Sequence, residues 1–487
     1  MITTQKNKVI TMIESKTTID NKKIIFANSI IILASVIFLL AVAVVRFNII
    51  DGRELIDTII PYVCLFLIFA LCFCIILFSL KYLDAKNNNT KMFGVICFVI
   101  AINYAICVLL EKISPYAMPV TLTVLLLSVF TNTKIAFLGN VFGILMLYIT
   151  LITMAISAGQ AMPNFLLPII IFAITAGTIL SMVINTDNRR LTYILRGIGV
   201  NMISLPIILL FQAVIAPSSF VSIFSKLPYT ACMIVGTVLL AFLFQPIIEA
   251  LFNISSNFRY IELCDHHRPL LLKLAKVAPG TFNHSLTVAN LAETCARAIN
   301  ENTYFARAAA YYHDVGKLNN TRYFKENQFS DVNPHDELTP EVSCDIIKKH
   351  ATQGKQICAE YGIPQEIADI TAEHHGTMPI IYFYNKAKEM TDREINIKEY
   401  CYPGPIPSSK VAAIIMICDA AEATVRAMKE HTYEKVEKIV KEIIDQRLKY
   451  GQFDNCDITL KELAIIKDTI VNAFGGLYHE RIQYPEI

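Results

Sequence analysis

The stretch AYYHDVGKLNN places an imidazole directly beside a carboxylate, at His313 and Asp314. In sequence, His284, His350, His374, His375 and Asp419 stand around that pair. Imidazole nitrogens and carboxylate oxygens are donors for first-row metals, and one carboxylate can give an oxygen to each of two cations. Together these groups supply what a two-metal hydrolytic site needs, with positions left for water and substrate. Taken singly, each has an ordinary explanation. A buried histidine is usually hydrogen-bonded in a core, and Asp419 has Lys410 and Arg426 as possible partners. The metal reading rests on the set and its order across one helical region. His266 and His267 are adjacent but precede Pro269, apart from the rest, and read as linker residues.

Two further residues are candidates for substrate contact. Lys317 lies one turn past His313-Asp314 and meets either a phosphate oxygen or the preceding helix C-terminus. His335, in NPHD, either borders the pocket or sits in a solvated turn. Tyr311, Tyr312, Tyr382 and Tyr384 offer stacking surfaces for a base, or core packing.

The elements that must position these groups are helical. From Leu270 onward no alternating run marks a sheet. HSLTVANLAETCARAI and ARAAAYYHDVGK read as consecutive helices, the second stopping at Gly316. Further helices are expected at 339–351, 364–374, 409–428, 433–448 and 458–478. His350 then falls at a helix end. Adjacent residues of a regular helix point about 100° apart, so His374 and His375 share one site only if the chain turns there, which Gly376 allows. Asp419 is polar in the apolar run AAIIMICDAAEAT, and a lone buried carboxylate is costly unless paired or metal-bound.

The other half of the chain has a different solvent. The 487 residues are 54% hydrophobic and only 17% charged, against about 25% charged in ordinary soluble proteins. The deficit falls in residues 24–252. A hydrocarbon core of about 30 Å takes about 20 apolar residues in a helix. Eight stretches are candidates: 24–45, 58–80, 92–110, 116–130, 135–157, 164–185, 193–216 and 229–252. The fourth is short, carries Pro119 near its start, and is a candidate re-entrant segment. With eight spans both termini share a side. Lys6, Lys8, Lys16, Lys22, Lys23, Lys81, Lys86, Lys91, Lys134, Arg189 and Arg190 fall on that side, against Arg46, Arg53, Lys112 and Lys226 on the other. The excess makes the shared side cytoplasmic.

The resulting organisation is an all-α chain. It has a cytoplasmic tail (1–23), a polytopic membrane domain (24–252), a linker (253–269) and a cytoplasmic helical domain (270–487). Arg196 is the clearest charge within a span and reads as snorkelling toward headgroups. The scarcity of membrane-embedded charge argues against a pump. The net charge of +2 implies no nucleic-acid polymer as partner. The 13 cysteines, none spaced Cys-x-x-Cys, read as small apolar side chains in a reducing compartment.

The segments APGTFNHSLTVANLAE, AAAYYHDVGKL, ENQFSDVNPHDELTPEVS, AEHHGTMPIIYFYNKAKE and YPGPIPSSKVAAIIMICDAAEATVR resemble the HD-domain phosphohydrolases. More closely, they resemble the membrane-anchored seven-transmembrane HD hydrolases of the PgpH type, which cleave cyclic di-AMP. PVTLTVLLLSVF, LRGIGVN and QPIIEALF extend the likeness into the membrane half. The resemblance implies that His284, His313, Asp314 and Asp419 hold one metal. It implies that Asp314, His350, His374 and His375 hold a second, with Asp314 bridging, and that the ions are iron or manganese. The substrate implied is cyclic di-AMP, opened to pApA at the inner face of a lipid bilayer. HHG is not followed by the GYP tripeptide of enzymes for cyclic di-GMP. Two alternatives stand: a hydrolase for another nucleotide, and a membrane receptor that binds a nucleotide without cleaving it. A homo-oligomer is compatible with either. Such relatives carry a large domain after the first span, where this chain has only residues 46–57.

Overall fold

The computed structural model describes residues 26–41, 55–83, 90–157, 163–184, 190–215, 224–328, 332–391 and 394–477. The expected tail (1–23) and most of the short loop at 46–57 lie outside them. The chain divides after Ser256 into two compact units. Among the described residues both are helical without a strand, and one isolated bridge pairs Pro379 with Cys401.

The first unit contains α1 (Phe26–Ala41), α2 (Leu55–Leu83), α3 (Thr90–Glu111), α4 (Leu122–Phe130), α5 (Thr133–Ser157), α6 (Leu166–Val183), α7 (Arg190–Ile215) and α8 (Leu227–Phe252). On α2, Leu65, Phe69, Phe73, Ile76 and Leu80 are buried, while Val63, Leu67, Leu71, Ile75 and Phe78 are exposed. A helix apolar on both faces has no polar side to give to water, so its outer face requires an apolar solvent. α2, α3, α5, α6 and α8 are each long and apolar enough to cross a bilayer.

The fourth expected span is corrected. Residues 116–130 are not one helix but a 3-10 turn, Pro115–Ala117, followed by the nine-residue α4, all of it buried. At 1.5 Å per residue α4 is about 14 Å long, well short of a hydrocarbon core. Pro115 and Pro119 lack the N–H groups that would continue a helix. The polar groups beside α4 are satisfied internally. Thr121 Oγ1 donates to Asn201 Oδ1 (3.0 Å), and Asn103 Nδ2 donates to Thr123 Oγ1 (2.8 Å). Arg196 donates to the carbonyl of Val183 (3.0 Å), one of the helix-end acceptors that α6 leaves free.

The second unit contains α9 (Asn257–Leu263), α10 (Pro269–Val277), α11 (Pro279–Ala298), α12 (Thr303–Tyr312), α13 (Pro340–Glu360), α14 (Gln365–Glu373), α15 (Ile381–Met390), α16 (Lys410–Arg426), α17 (Tyr433–Lys449) and α18 (Leu460–Leu477). The stretch read as linker contributes Tyr260 and Leu263 of α9 to this unit's core. α16 is central, with every residue from Val411 to Asp419 buried. α11 lays Val288, Ala289, Ala292, Cys295 and Ala296 in the same core. Tyr311 and Tyr312 are buried there too, so they serve packing rather than base stacking.

Two expected boundaries move. α13 continues to Glu360, so His350 lies mid-helix rather than at an end. α12 stops at Tyr312 and a 3-10 segment, Val315–Asn319, follows, so Gly316 is not its stop signal. Gly316 is there for close approach: a Cβ on it would lie 1.9 Å from the carbonyl oxygen of His350. Every cysteine is free.

α18 begins with a capping box, in which Thr459 N–H donates to Glu462 Oε2 (2.8 Å) and Glu462 N–H to Thr459 Oγ1 (3.2 Å). Lys410, the first residue of α16, donates to the other Glu462 oxygen at 2.6 Å. Partial burial opposes the Glu462 charge, yet Lys410 and the Thr459 cap bring it from 4.5 down to about 2. A depressed carboxylate stabilises the fold above its ordinary pKa and ceases to as pH falls through its folded value. The expected result is that Glu462→Gln lowers the unfolding temperature at pH 7 and flattens its acid dependence between pH 4.5 and 2. Thermal unfolding of the detergent-solubilised chain across that range measures it.

Candidate metal centre

The seven expected ligand residues converge. Asp314 follows α12, is 1% exposed, and turns its two oxygens to opposite sides. Its Oδ2 faces His313 Nε2 (3.4 Å) and His284 Nε2 (3.7 Å). Its Oδ1 faces His350 Nε2 (3.4 Å) and His374 Nε2 (3.7 Å). Asp419 Oδ1 lies 3.0 Å from His284 Nε2 and 3.8 Å from His313 Nε2, and its Oδ2 lies 3.7 Å from His375 Nδ1. His350, His374 and His375 form one group with atoms close enough to share an ion, and His284, His313 and Asp419 form another.

Local backbone geometry aims the rings. His313 Nδ1 faces the carbonyl of Ala310 (2.7 Å), His350 Nδ1 that of Ile347 (2.6 Å), and His374 Nδ1 that of Thr371 (2.8 Å). Each carbonyl is three residues back in the same chain segment and accepts the Nδ1 proton, which leaves Nε2 with a lone pair toward the centre. His284 differs, since its Nδ1 is 2.5 Å from Glu422 Oε2. Glu422 sits one turn beyond Asp419 on α16 and is buried. A carboxylate behind a ligating imidazole fixes its tautomer and raises its basicity. His375 is held by stacking on Tyr402, with centroids 4.2 Å apart and planes at 25°. Gly376, at φ +54°, takes the left-handed conformation that turns the chain out of α14, so both neighbouring rings reach one site.

Charge at the centre is strongly biased. Burial opposes ionisation of Asp314, but Lys317 and His313 hold its carboxyl well below the usual range. Burial likewise opposes protonation of His313 and His284, yet the adjacent carboxylates push them up to about 10 and about 9. His374 is driven the other way, to about 3, by burial and the neighbouring imidazoles. The centre therefore concentrates negative charge that Lys317 and protons on His284 and His313 balance. Asp314 Oδ1 and Oδ2 and His313 Nε2 are buried without a hydrogen-bond partner. Unsatisfied buried donor atoms of this kind are what cations repay, so the residues present fit metal ions.

The other candidates divide. Lys317 lies 2.7 Å from Asp314 Oδ2, without hydrogen-bond alignment, and 2.8 Å from Glu326 Oε1. It is thus a counter-ion held between two carboxylates, and it lines the cavity over the centre. His335 is corrected: it is neither solvated nor a lining residue of that cavity. Its ring is buried against Tyr323 and Phe383, with Nε2 2.9 Å from the Tyr323 carbonyl. His267 is exposed beside Asp265, and His266 packs on Phe282 and Tyr311. Tyr382 is exposed and Tyr384 packs on Tyr400, and neither lines the cavity.

The cavity has a volume of about 670 Å³ and adds residues the sequence did not single out: Phe324, Lys325, Glu326, Tyr402, Glu422 and Arg447. Of these only Glu422 had a sequence signal, its spacing of one helical turn from Asp419.

Residues 281–424 match the HD domain, and residues 59–256 match the "7TM receptor with intracellular HD hydrolase" family. The first unit is thus similar to that membrane family and the second to the HD domain. It is 38% identical over 372 residues to the cyclic-di-AMP phosphodiesterase PgpH of Listeria monocytogenes, covering 76% of this chain and 50% of the relative. It is 35% identical over 415 residues to PgpH of Bacillus subtilis, covering 83% and 56%. A crystal structure of the L. monocytogenes PgpH HD domain in complex with cyclic di-AMP is 49% identical, covering 44% of this chain and 100% of that one, with a TM-score of 0.42. The chain spans about half the length of the curated relatives it matches.

Two outcomes are expected. Glu422→Gln should weaken retention of divalent metal about 10- to 100-fold without unfolding the protein, as read by chelator competition and circular dichroism. Gly316→Ala must push the backbone of α13 away from Asp314, so it should lower the unfolding temperature and reduce bound metal together.

Proposed function

We propose that this chain is a metal-dependent phosphodiesterase that hydrolyses cyclic di-AMP to linear pApA, with two divalent ions, manganese or iron, at the centre. The observation that carries this reading is the Asp314 carboxylate, whose oxygens face different imidazole groups, 3.4 Å from His313 and 3.4 Å from His350. One set of ligands is His284, His313, Asp314 and Asp419. The other is His350, His374, His375 and Asp314. Likeness to the two PgpH proteins supports the choice of substrate.

Two bound divalent ions supply Lewis-acid polarisation of the phosphoryl oxygens and a water of lowered pKa. The protein's residues do the rest. The backbone carbonyls of Ala310, Ile347 and Thr371 and the carboxylate of Glu422 keep the ring nitrogens aimed inward. Lys317, fixed by Glu326, offsets the Asp314 charge and puts an ammonium at the cavity wall, where a phosphate anion enters. Hydrolysis forms a bond from the water oxygen to phosphorus and breaks the bond to the 3′ oxygen, which leaves with a proton.

The same reading places the chain as a multi-pass membrane protein with both termini, and the centre, on the cytoplasmic side. The distribution of lysine and arginine among the connecting segments supports that orientation. Residues 1–23 are then a cytoplasmic tail, 24–252 the membrane domain, 253–269 the connection and 270–487 the catalytic domain.

Asp314→Ala should abolish cyclic di-AMP hydrolysis by the purified full-length chain, and elemental analysis of the wild type should find close to two ions per chain. Undiminished turnover in the variant would refute the bridging role, and a wild type holding one ion would refute the dinuclear centre.

A further inference from the structure

The cavity is longer than a single phosphate requires. Asp419, Ala420 and Ala423 of α16 line it, as does Ala427 at the helix's C-terminal cap. Eight residues at 1.5 Å each carry that floor about 12 Å from the aspartate. The metal-centre residues His284, His350, His375 and Asp419 line the same cavity. Arg426 and Arg447, from α16 and α17, line it as well.

The two arginines are not equivalent. Arg426 is paired with Glu422, its Nη1 3.6 Å from Oε1, and Glu422 is committed to His284. Arg447 is half-buried, and its Nε is buried without a hydrogen-bond partner. Its guanidinium makes no hydrogen bond or salt bridge among the described residues. A guanidinium is always charged, and it matches phosphate oxygens with two parallel donors. Placing one at a cavity wall without an anion is costly unless a ligand supplies the anion.

We propose that Arg447 binds the second, non-reacting phosphate of a two-phosphate nucleotide ligand whose other phosphate lies at the histidine–aspartate cluster. The inference rests on the phosphodiesterase reading above and deepens it. The cluster acts on one phosphodiester, and Arg447 selects ligands that carry another at the right distance. A mononucleotide or a simple diester reaches the cluster but leaves the arginine unpaired. Burial also weighs against the charge of Arg447, with Asp419 as the opposing influence, as expected of a site completed by an anion.

The test uses the full-length, manganese-loaded protein with cyclic di-AMP and with bis(4-nitrophenyl) phosphate, a diester with one phosphate. Arg447→Met should raise KM for cyclic di-AMP about 10- to 100-fold, the loss typical of removing a charge-assisted contact, with kcat changed only a few-fold. Hydrolysis of the single-phosphate diester and the metal content should be unchanged. Arg447→Lys, which keeps the charge but loses the planar fork, should fall between. An unchanged KM, or equal losses on both substrates, overturns the proposal. Calorimetric binding of cyclic di-AMP separates this from failure of the parent reading. A wild type that binds without turnover refutes the phosphodiesterase, while weakened binding in Arg447→Met still supports the arginine's role. Equal binding by both, or none by the wild type, overturns the inference.

Discussion

A carboxylate that is 1% exposed and accepts no hydrogen bond, Asp314, is the constraint on which the second unit is built. Its ionised form is favoured despite burial, because Lys317 and an imidazole face it. One lysine does not balance two buried aspartates and a glutamate, and the imidazoles nearest Asp419 and Glu422 are drawn toward their charged form while His350, His374 and His375 are driven to the neutral one. In the protein alone that charge is carried by protons on His284 and His313. Divalent ions answer the same demand with coordination that a proton lacks. The helices α11, α13, α14 and α16, and the turn after α12, meet where they do because their donors must reach this point.

Precision at the centre comes from an outer ring of ordinary interactions. Three histidines use their own backbone, three residues back, as the acceptor that fixes the ring. This device needs only a helical or turn conformation and is therefore coded locally. The fourth depends on Glu422 from a different helix, and the fifth on stacking with Tyr402, brought in after the excursion through α15. Tyr402 N–H donates to the carbonyl of Met378 (3.0 Å), which ties that excursion back to the turn carrying His375. Lys317 and Glu326 add a buried ion pair at the cavity wall. Such a pair contributes little net stability after desolvation, so its effect lies in placing an ammonium at the cavity wall.

The first unit follows a different rule. Its helices are apolar on inner and outer faces alike, and most of their polar side chains bond one another or a carbonyl of a helix. Arg196 exemplifies this, since its charge is spent on the end of α6 rather than on a pathway. The short α4 is tolerated because all of it is enclosed by its neighbours, where an interrupted backbone meets protein rather than lipid.

Much of this was legible in the residues themselves. The apolar blocks, the helical class of both halves, and the set His284, His313, Asp314, His350, His374, His375 and Asp419 all follow from side-chain type and order. Hydrophobic periodicity and donor chemistry are local properties that survive without a fold. What tertiary structure alone decided depends on contacts between distant segments. Gly316 looks like a helix stop and is in fact the point where α13 passes within reach of a missing Cβ. His335 looks like a turn residue and is buried between two rings. Arg447 has no motif around it, and nothing in its own helix marks it. Only the folding of α17 against α16 leaves its guanidinium without a partner among the described residues, beside a cavity that Asp419 also lines, because the cost of a buried charge is set by its surroundings and not by its sequence neighbours.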